Sequence, residues 1–220
     1  MKKNPIITII GLGYVGLPLA VEFAKKFNVL GYDINSKRVS DLNLGNDFTL
    51  ETSQKQLNDV LFHKNPNKNF GLKISSNIDD ISQADIYIIT VPTPIDENKK
   101  PDLSPLEAAT KDISKHIKKG DIIIYESTVY PGCTEEFCIP ILEKYSSFKY
   151  NKDFFCGYSP ERINPGDKIN TLTKIKKVTS GSTKEIASYI DNLYKTIIEA
   201  GTHLAPNMKV AEASKAIENA

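Results

Sequence analysis

The sequence predicts an α/β fold, a Rossmann-type doubly wound and mainly parallel sheet with helices on both faces. Three observations carry the prediction. Short apolar runs alternate along the chain with segments of helical periodicity, the rhythm of strand, crossover helix and strand. The first run, Ile6-Ile7-Thr8-Ile9-Ile10, passes directly into Gly11-Leu12-Gly13-Tyr14-Val15-Gly16, and the second ends at Asp33. The 220 residues are 40% hydrophobic and 25% charged, enough apolar material to cover both faces of a sheet.

Strands are predicted at 6–10, 29–33, 72–75, 85–91, 121–125, 153–158 and 174–180. Ile86-Tyr87-Ile88-Ile89 and Ile122-Ile123-Ile124 are nearly all-apolar and bounded by charged residues, the pattern of strands covered on both faces. Helices are predicted at 14–27, in broken form over 36–63, and at 104–118, 132–145 and 183–199. A final helix begins near Pro206 or Asn207, carries the apolar stripe Val210, Ala213, Ser214 and Ile217, and still runs at Ala220 without a C-cap signal. Segments 64–69 and 96–101 are polar loops.

The first strand and its glycine turn point to a nucleotide. A strand that feeds a glycine turn opening a helix directs unpaired N–H groups and the positive end of the helix dipole at one spot, which suits a pyrophosphate. Gly11 permits the tight turn, Gly13 lets phosphates approach the backbone, and Gly16 lets the helix pack on the strand. Asp33 lies roughly 20 residues beyond the first glycine, where a carboxylate accepts ribose hydroxyls and repels a 2′-phosphate. The expected cofactor is NAD rather than NADP.

Other function classes are excluded on composition. The apolar stretch from Ile6 to Ala24 follows Lys2-Lys3 and resembles a signal peptide or membrane span, but Glu22 and Lys25-Lys26 interrupt it and no clean cleavage site follows. A net charge of +1, from 28 basic and 27 acidic residues, gives no electrostatic footprint for nucleic acid or a membrane surface. Cys133, Cys138 and Cys156 form neither an even disulfide set nor a C-x-x-C pair, so a reducing cytoplasm is expected. His63, His116 and His203 stand apart from any metal-ligand spacing, and no structural metal is expected.

Ligands of open α/β sheets sit outside the carboxyl ends of the strands. The fourth run ends in Val91-Pro92-Thr93-Pro94, a loop stiffened by two prolines around a hydroxyl, or simply a turn. The fifth ends in Tyr125-Glu126-Ser127-Thr128-Val129-Tyr130-Pro131-Gly132, whose hydroxyls suit either a cofactor contact or, more commonly, a helix cap. The sixth ends in Gly157-Tyr158-Ser159-Pro160-Glu161-Arg162-Ile163-Asn164-Pro165-Gly166, where the ordinary role for Glu161 or Arg162 is an exposed salt bridge. Lys215 and Asn219, four apart on the last helix, share a face, and such a lysine is usually solvated.

Taken together with Asp33-Ile34-Asn35, Asp167 and the segment Ala211-Glu212-Ala213-Ser214-Lys215-Ala216-Ile217-Glu218-Asn219, these motifs resemble the UDP-glucose/GDP-mannose dehydrogenase family over essentially the whole chain. The wording of the Tyr130-Pro131-Gly132 and Glu161-Arg162-Ile163-Asn164-Pro165-Gly166-Asp167 segments is nearest to the branch that oxidises UDP-N-acetylhexosamines for surface polysaccharides. The resemblance implies a double oxidation of a sugar C6 alcohol to a carboxylate with two NAD+, through a thiohemiacetal and a thioester on a cysteine. It implies that Tyr14 and Val15 meet the dinucleotide, Asp33 its adenosine ribose, Arg38 the adenosine end, and Thr93 and Thr128 the nicotinamide side. Glu161 would handle water or a proton in thioester hydrolysis, Arg162 and Ile163 would touch the UDP-sugar, and Lys215 with Asn219 would contact substrate and stabilise the developing oxyanion.

The family's nucleophilic cysteine lies in a glycine-rich loop beyond this last helix, followed by a second nucleotide-type domain that holds the UDP moiety. Cys133 sits at a helix start but lacks the nucleophile's sequence context, and Cys138 and Cys156 read as buried apolar residues. The resemblance therefore implies an NAD-binding domain over 1–205 and the start of a linking, dimerising helix over 206–220, inactive alone and homodimeric in the intact protein. Two other readings stay open: oxidation of UDP-glucose or GDP-mannose, and a dinucleotide-binding module without catalysis.

Overall fold

The computed structural model describes residues 2–95, 101–162 and 171–218. Among them one eight-stranded sheet forms from β1 (Ile6–Ile10), β2 (Asn28–Tyr32), β3 (Gly71–Ser75), β4 (Ile86–Ile89), β5 (Ile122–Tyr125), β6 (Phe155–Tyr158), β7 (Lys177–Gly181) and β8 (Thr202–Leu204). Its order is β3-β2-β1-β4-β5-β6-β7-β8. Strands β1 to β6 run parallel, β7 pairs antiparallel to β6, and β8 runs parallel to β7. Chain order reverses between β1 and β4, the switch point at which such sheets open a crevice.

Helices α1 (Gly16–Ala24), α2 (Ser36–Asn43), α3 (Gln54–Val60) and α6 (Lys184–Lys195) cover one face, and α4 (Ser104–Ser114), α5 (Ile139–Ser146) and the start of α7 (Met208–Glu218) cover the other. Period-two alternation feeds the two cores. Ile86 and Ile88 join Ile122 and Ile124 beneath α6, while Tyr87 and Ile89 join Ile123 and Tyr125 beneath α4 and α5. Local caps set several helix starts. Asn35 accepts the Arg38 amide, Ser53 and Gln56 form a capping box, and Thr183 accepts the Ile186 amide.

The first strand and the broken helical region follow expectation, the latter as α2 and α3. The apolar stretch from Ile6 to Ala24 folds as β1, a turn and α1, and no helix among the described residues is long and apolar enough to cross a membrane. Tyr14 and Val15 belong to the glycine turn rather than to α1, and the predicted helix over 132–145 opens with a π turn at Thr134–Cys138. Two features depart from the predicted parallel rhythm. β7 pairs antiparallel to β6 rather than continuing the parallel order. The short, largely exposed β8 was not anticipated, because Thr202-His203-Leu204 carries almost no apolar pattern.

Candidate functional site

The glycine turn leaves β1 at the switch point. Gly11 has φ +91°, in the region that favours glycine, and its amide donates to the Tyr32 carbonyl at 2.8 Å. A Cβ on Gly16 would run into the Gly11 carbonyl oxygen and Thr90 Oγ1, so the close packing of α1 on the turn needs glycine there. Thr90 Oγ1 closes the turn from β4, bonding the carbonyls of Ile10 at 3.0 Å and Gly11 at 2.8 Å. A Cβ on Gly13 would meet nothing within 4 Å, so this face of the turn is open. Among the described residues the Gly13, Tyr14 and Val15 amides find no protein acceptor, and Tyr14 is half exposed. An open cradle of free amides at the start of a helix fits a dinucleotide pyrophosphate.

Asp33, just past β2, closes the same loop. Its Oδ2 accepts the Leu12 amide at 2.8 Å and its Oδ1 accepts the Asn35 amide at 2.9 Å. A carboxylate offers about four acceptor sites, which leaves capacity for ribose hydroxyls. Arg38 is 3% exposed and sits beneath the turn rather than at an open surface. Its Nε and Nη2 both donate to the Leu12 carbonyl, at 3.0 and 2.9 Å, and Nη2 pairs with Asp47 at 2.7 Å. The ring of exposed Phe48 lies 4.2 Å from the guanidinium carbon. Burial alone would raise the Asp47 carboxyl, but hydrogen bonds from Thr49, Thr52 and Arg38 outweigh it and hold it below the ordinary range. Arg38 thus buckles α2, the glycine turn and the 46–53 loop together.

The loops after β4 and β5 are joined directly. Thr93 Oγ1 donates to the Thr128 carbonyl at 2.6 Å, and Ser127 Oγ donates to the Val91 carbonyl at 2.6 Å. The structure therefore brings together the two threonines expected on the nicotinamide side. Neither Ser127 nor Thr128 caps the following helix. Glu212, fully buried on α7, does so instead, accepting the amides of Gly132 and Thr134, the latter at 2.9 Å, and the Thr134 hydroxyl at 2.6 Å. Lys215, half-buried, follows one turn later on the same helix face.

Beyond β6, Glu161 is not the exposed salt-bridge partner of the ordinary reading. It is 7% exposed, and its Oε2 meets Lys177 Nζ at 3.0 Å. Lys177 also meets Glu126 Oε2 at 2.7 Å, and Tyr194 donates its hydroxyl to Glu126 Oε1. The Arg162 amide donates to Glu161 Oε1 at 2.6 Å, and the Arg162 side chain is half-buried. Desolvation opposes the Lys177 charge, but the two carboxylates outweigh it and hold the ammonium protonated. Burial, with Glu161 close by, pushes the Glu126 carboxyl up. Ile163 and Asn219 lie outside the described residues.

Cys133, Cys138 and Cys156 are all buried, and burial pushes the Cys156 thiol up. A cavity of about 740 Å³ lies at the opposite edge of the sheet, where Asp85 pairs with Lys2 and Lys118, and Asp121 with Lys118. Its charged groups are thus largely spent on one another. Sequence reasoning missed Lys177, Tyr194, Glu212 and Asp47. Only Lys177 gave a local signal, as a charge beside the Val178 run that continues a strand.

At the carboxyl edge the described residues bring together an open glycine turn, the Asp33 carboxylate, joined threonine loops and a buried carboxylate array. A family model described as the UDP-glucose/GDP-mannose dehydrogenase family, NAD binding domain, matches residues 5–198. A UDP-N-acetyl-D-glucosamine 6-dehydrogenase of Pseudomonas aeruginosa is 56% identical over 99% of the chain and 49% of its own length. One from Salmonella typhi is 54% identical over 97% of the chain and 48% of its length. A solved UDP-D-ManNAc dehydrogenase of Pyrococcus horikoshii superimposes with TM-score 0.88 at 31% identity, over 97% of this chain and 50% of that one. The chain spans about half the length of these relatives. With the glycine turn and Asp33 in place, the chain belongs to the UDP-glucose/GDP-mannose dehydrogenase family, as an NAD-binding domain.

Proposed function

We propose that the chain is the NAD-binding portion of a UDP-N-acetylhexosamine 6-dehydrogenase that uses two NAD+ to make the uronate for surface polysaccharides. UDP-N-acetyl-D-glucosamine is the substrate this reading favours. The observation that carries it is graded identity: 56% and 54% to two UDP-N-acetyl-D-glucosamine 6-dehydrogenases, against 32% and 35% to UDP-N-acetyl-D-mannosamine dehydrogenases of P. horikoshii and Campylobacter jejuni. The Staphylococcus aureus protein CapL is 49% identical over the whole chain.

In this reading Gly11, Gly13, Tyr14, Val15 and Gly16 receive the pyrophosphate, Asp33 holds the adenosine ribose, and Arg38 shapes the adenosine end by fixing Leu12 and Phe48. Thr93 and Thr128 border the nicotinamide. The bound NAD+ supplies hydride acceptance, and the chain's own residues supply orientation and proton handling. Glu161 orients water or takes its proton in thioester hydrolysis, Lys215 and Asn219 stabilise the oxyanion, and Arg162 and Ile163 contact the UDP-sugar. The residues 1–205 act as the NAD domain and 206–220 begin the linking helix of a cytoplasmic homodimer.

The test has two stages. Calorimetry on the 220-residue chain is expected to show NAD+ binding without complete turnover. The product of the longest open reading frame that contains these residues is expected to form NADH with UDP-N-acetyl-D-glucosamine in preference to the mannosamine and galactosamine epimers, UDP-glucose and GDP-mannose. Equal or faster oxidation of UDP-glucose or GDP-mannose would overturn the substrate assignment. A product that binds NAD+ and oxidises none of these sugars would favour the binding module.

A further inference from the structure

We propose that Lys177 is a positioning residue for Glu161: its buried ammonium, delivered by the antiparallel strand β7, bridges Glu126 and Glu161 and fixes the Glu161 carboxylate at the carboxyl edge of the sheet. The inference rests on the reading of Glu161 given above and extends it to residues on two other elements.

The placement follows from strand direction. Tyr158, the last residue of β6, pairs with Ser180, and Gly157 pairs with Gly181. The antiparallel run of β7 therefore carries its first residue, Lys177, past the end of β6 and toward Glu161. A parallel strand would have put its first residue at the opposite edge, by the cavity that Asp85 lines. Lys177 is also held from behind. Its amide donates to the Gly201 carbonyl at 3.2 Å, and it pairs with Thr202 on β8. The short strand that sequence patterning missed thus fixes the backbone from which Lys177 reaches inward.

The three charged groups are not equivalent. Both Glu126 oxygens are engaged inside the protein, Oε1 by Tyr194 and Oε2 by Lys177. Glu126 and Lys177 are each 2% exposed, whereas Glu161 is 7% exposed and follows the carboxyl end of β6. The ring of Tyr194 also lies 5.7 Å from the Lys177 ammonium. Glu126 and Tyr194 therefore hold Lys177, and Lys177 holds one oxygen of Glu161. A buried ion array of this kind is weak as a source of stability, since apolar residues of similar volume often do as well. Fixing the direction and charge of a carboxylate is what such an array does better than an apolar core.

The experiment uses the product of the longest reading frame containing these residues, assayed for NAD+-dependent oxidation of UDP-N-acetyl-D-glucosamine. Four variants are compared: Lys177→Met, Lys177→Arg, Glu126→Gln with Lys177→Met, and Glu161→Gln. The double variant removes the cation without stranding Glu126 as an unpaired anion. It is expected to lower kcat about tenfold or more, a share of the roughly hundredfold or greater worth of a placed acid–base group. KM for NAD+ should stay within about twofold, and Lys177→Arg should restore most of kcat. A folded double variant with parental kcat, beside a slow Glu161→Gln, would overturn the role of Lys177 and leave Glu161 standing. A Glu161→Gln variant with parental kcat would overturn the reading of Glu161 and this inference with it. A double variant that loses NAD+ binding as well would show the array to be purely structural, and would also overturn the proposal.

Discussion

The two halves of the carboxyl edge are built from different materials. Around β1 and β2 the site is mostly main chain: the turn of Gly11 to Gly16, free amides, and Asp33 and Arg38 tying it from 21 and 26 residues away. Around β5, β6 and β7 it is made of buried side-chain charge, with Glu126, Glu161, Lys177 and Tyr194 converging across separations of 16 to 68 residues. A backbone cradle offers donors whatever the pH and needs little beyond glycine at fixed spacing. A buried charge array is sensitive to the loss of any one member, because the charge that remains is left in a poor solvent. The first design suits a cofactor that every turnover binds in the same way, and the second suits a group that must keep its charge and direction.

Four perturbations should separate the halves, beginning with the largest. Lys177→Met leaves Glu126 and Glu161 buried together without a cation and is expected to cost about 3–5 kcal/mol in denaturant unfolding, with much of it recovered in the double variant with Glu126→Gln. Equal costs for the single and double variants would mean that packing, not charge, holds this half. Gly16→Ala drives a Cβ into the Gly11 carbonyl and Thr90 Oγ1, so a loss of about 1–3 kcal/mol and weaker NAD+ binding are expected together. Stability loss at unchanged NAD+ affinity would detach the turn from the cofactor.

Glu212→Ala strips the acceptor from two amides and a hydroxyl, with an expected cost of about 1–3 kcal/mol. Hydrogen exchange should quicken at 132–138 and along α7 while the glycine turn stays protected. The smallest effect is the pH response of the Arg38 buckle. The Asp47 carboxyl lies below its ordinary value in the folded state, so its contribution is present above the unfolded carboxyl pKa of about 4 and is lost as pH falls through the folded value. Asp47→Asn should therefore be less stable than the parent near neutrality, and the two should converge in acid. A difference that persists at low pH would assign the effect to the neutral hydrogen bonds alone.

The same contrast explains what the sequence alone revealed. The glycine turn, β1, β4, β5 and the placement of Asp33 are written in neighbouring residues, in glycine spacing and in runs of isoleucine. Thr93 and Thr128 were legible as strand-end residues, though not that the hydroxyl of one would bond the carbonyl of the other. Arg38 was read as a contact for the adenosine end, and its pairing beneath the turn depends on Asp47, whose loop carries no motif. Glu212 was hidden by distance, because a helix cap supplied from 78 to 80 residues away leaves no capping signature near Gly132. Lys177 was hidden by direction. Its meaning depends on β7 running antiparallel, and nothing in the residues of β7 records which way the strand points.

The most direct test of the central claim, that the turn from Gly11 to Gly16 with Asp33 forms an NAD site, is a calorimetric titration of the 220-residue chain with NAD+ and NADP+ in turn. Saturable binding of one NAD+ per chain, with NADP+ at least about tenfold weaker because Asp33 faces its 2′-phosphate, is the predicted result. Absence of NAD+ binding by the folded chain, or equal affinity for the two dinucleotides, would contradict it.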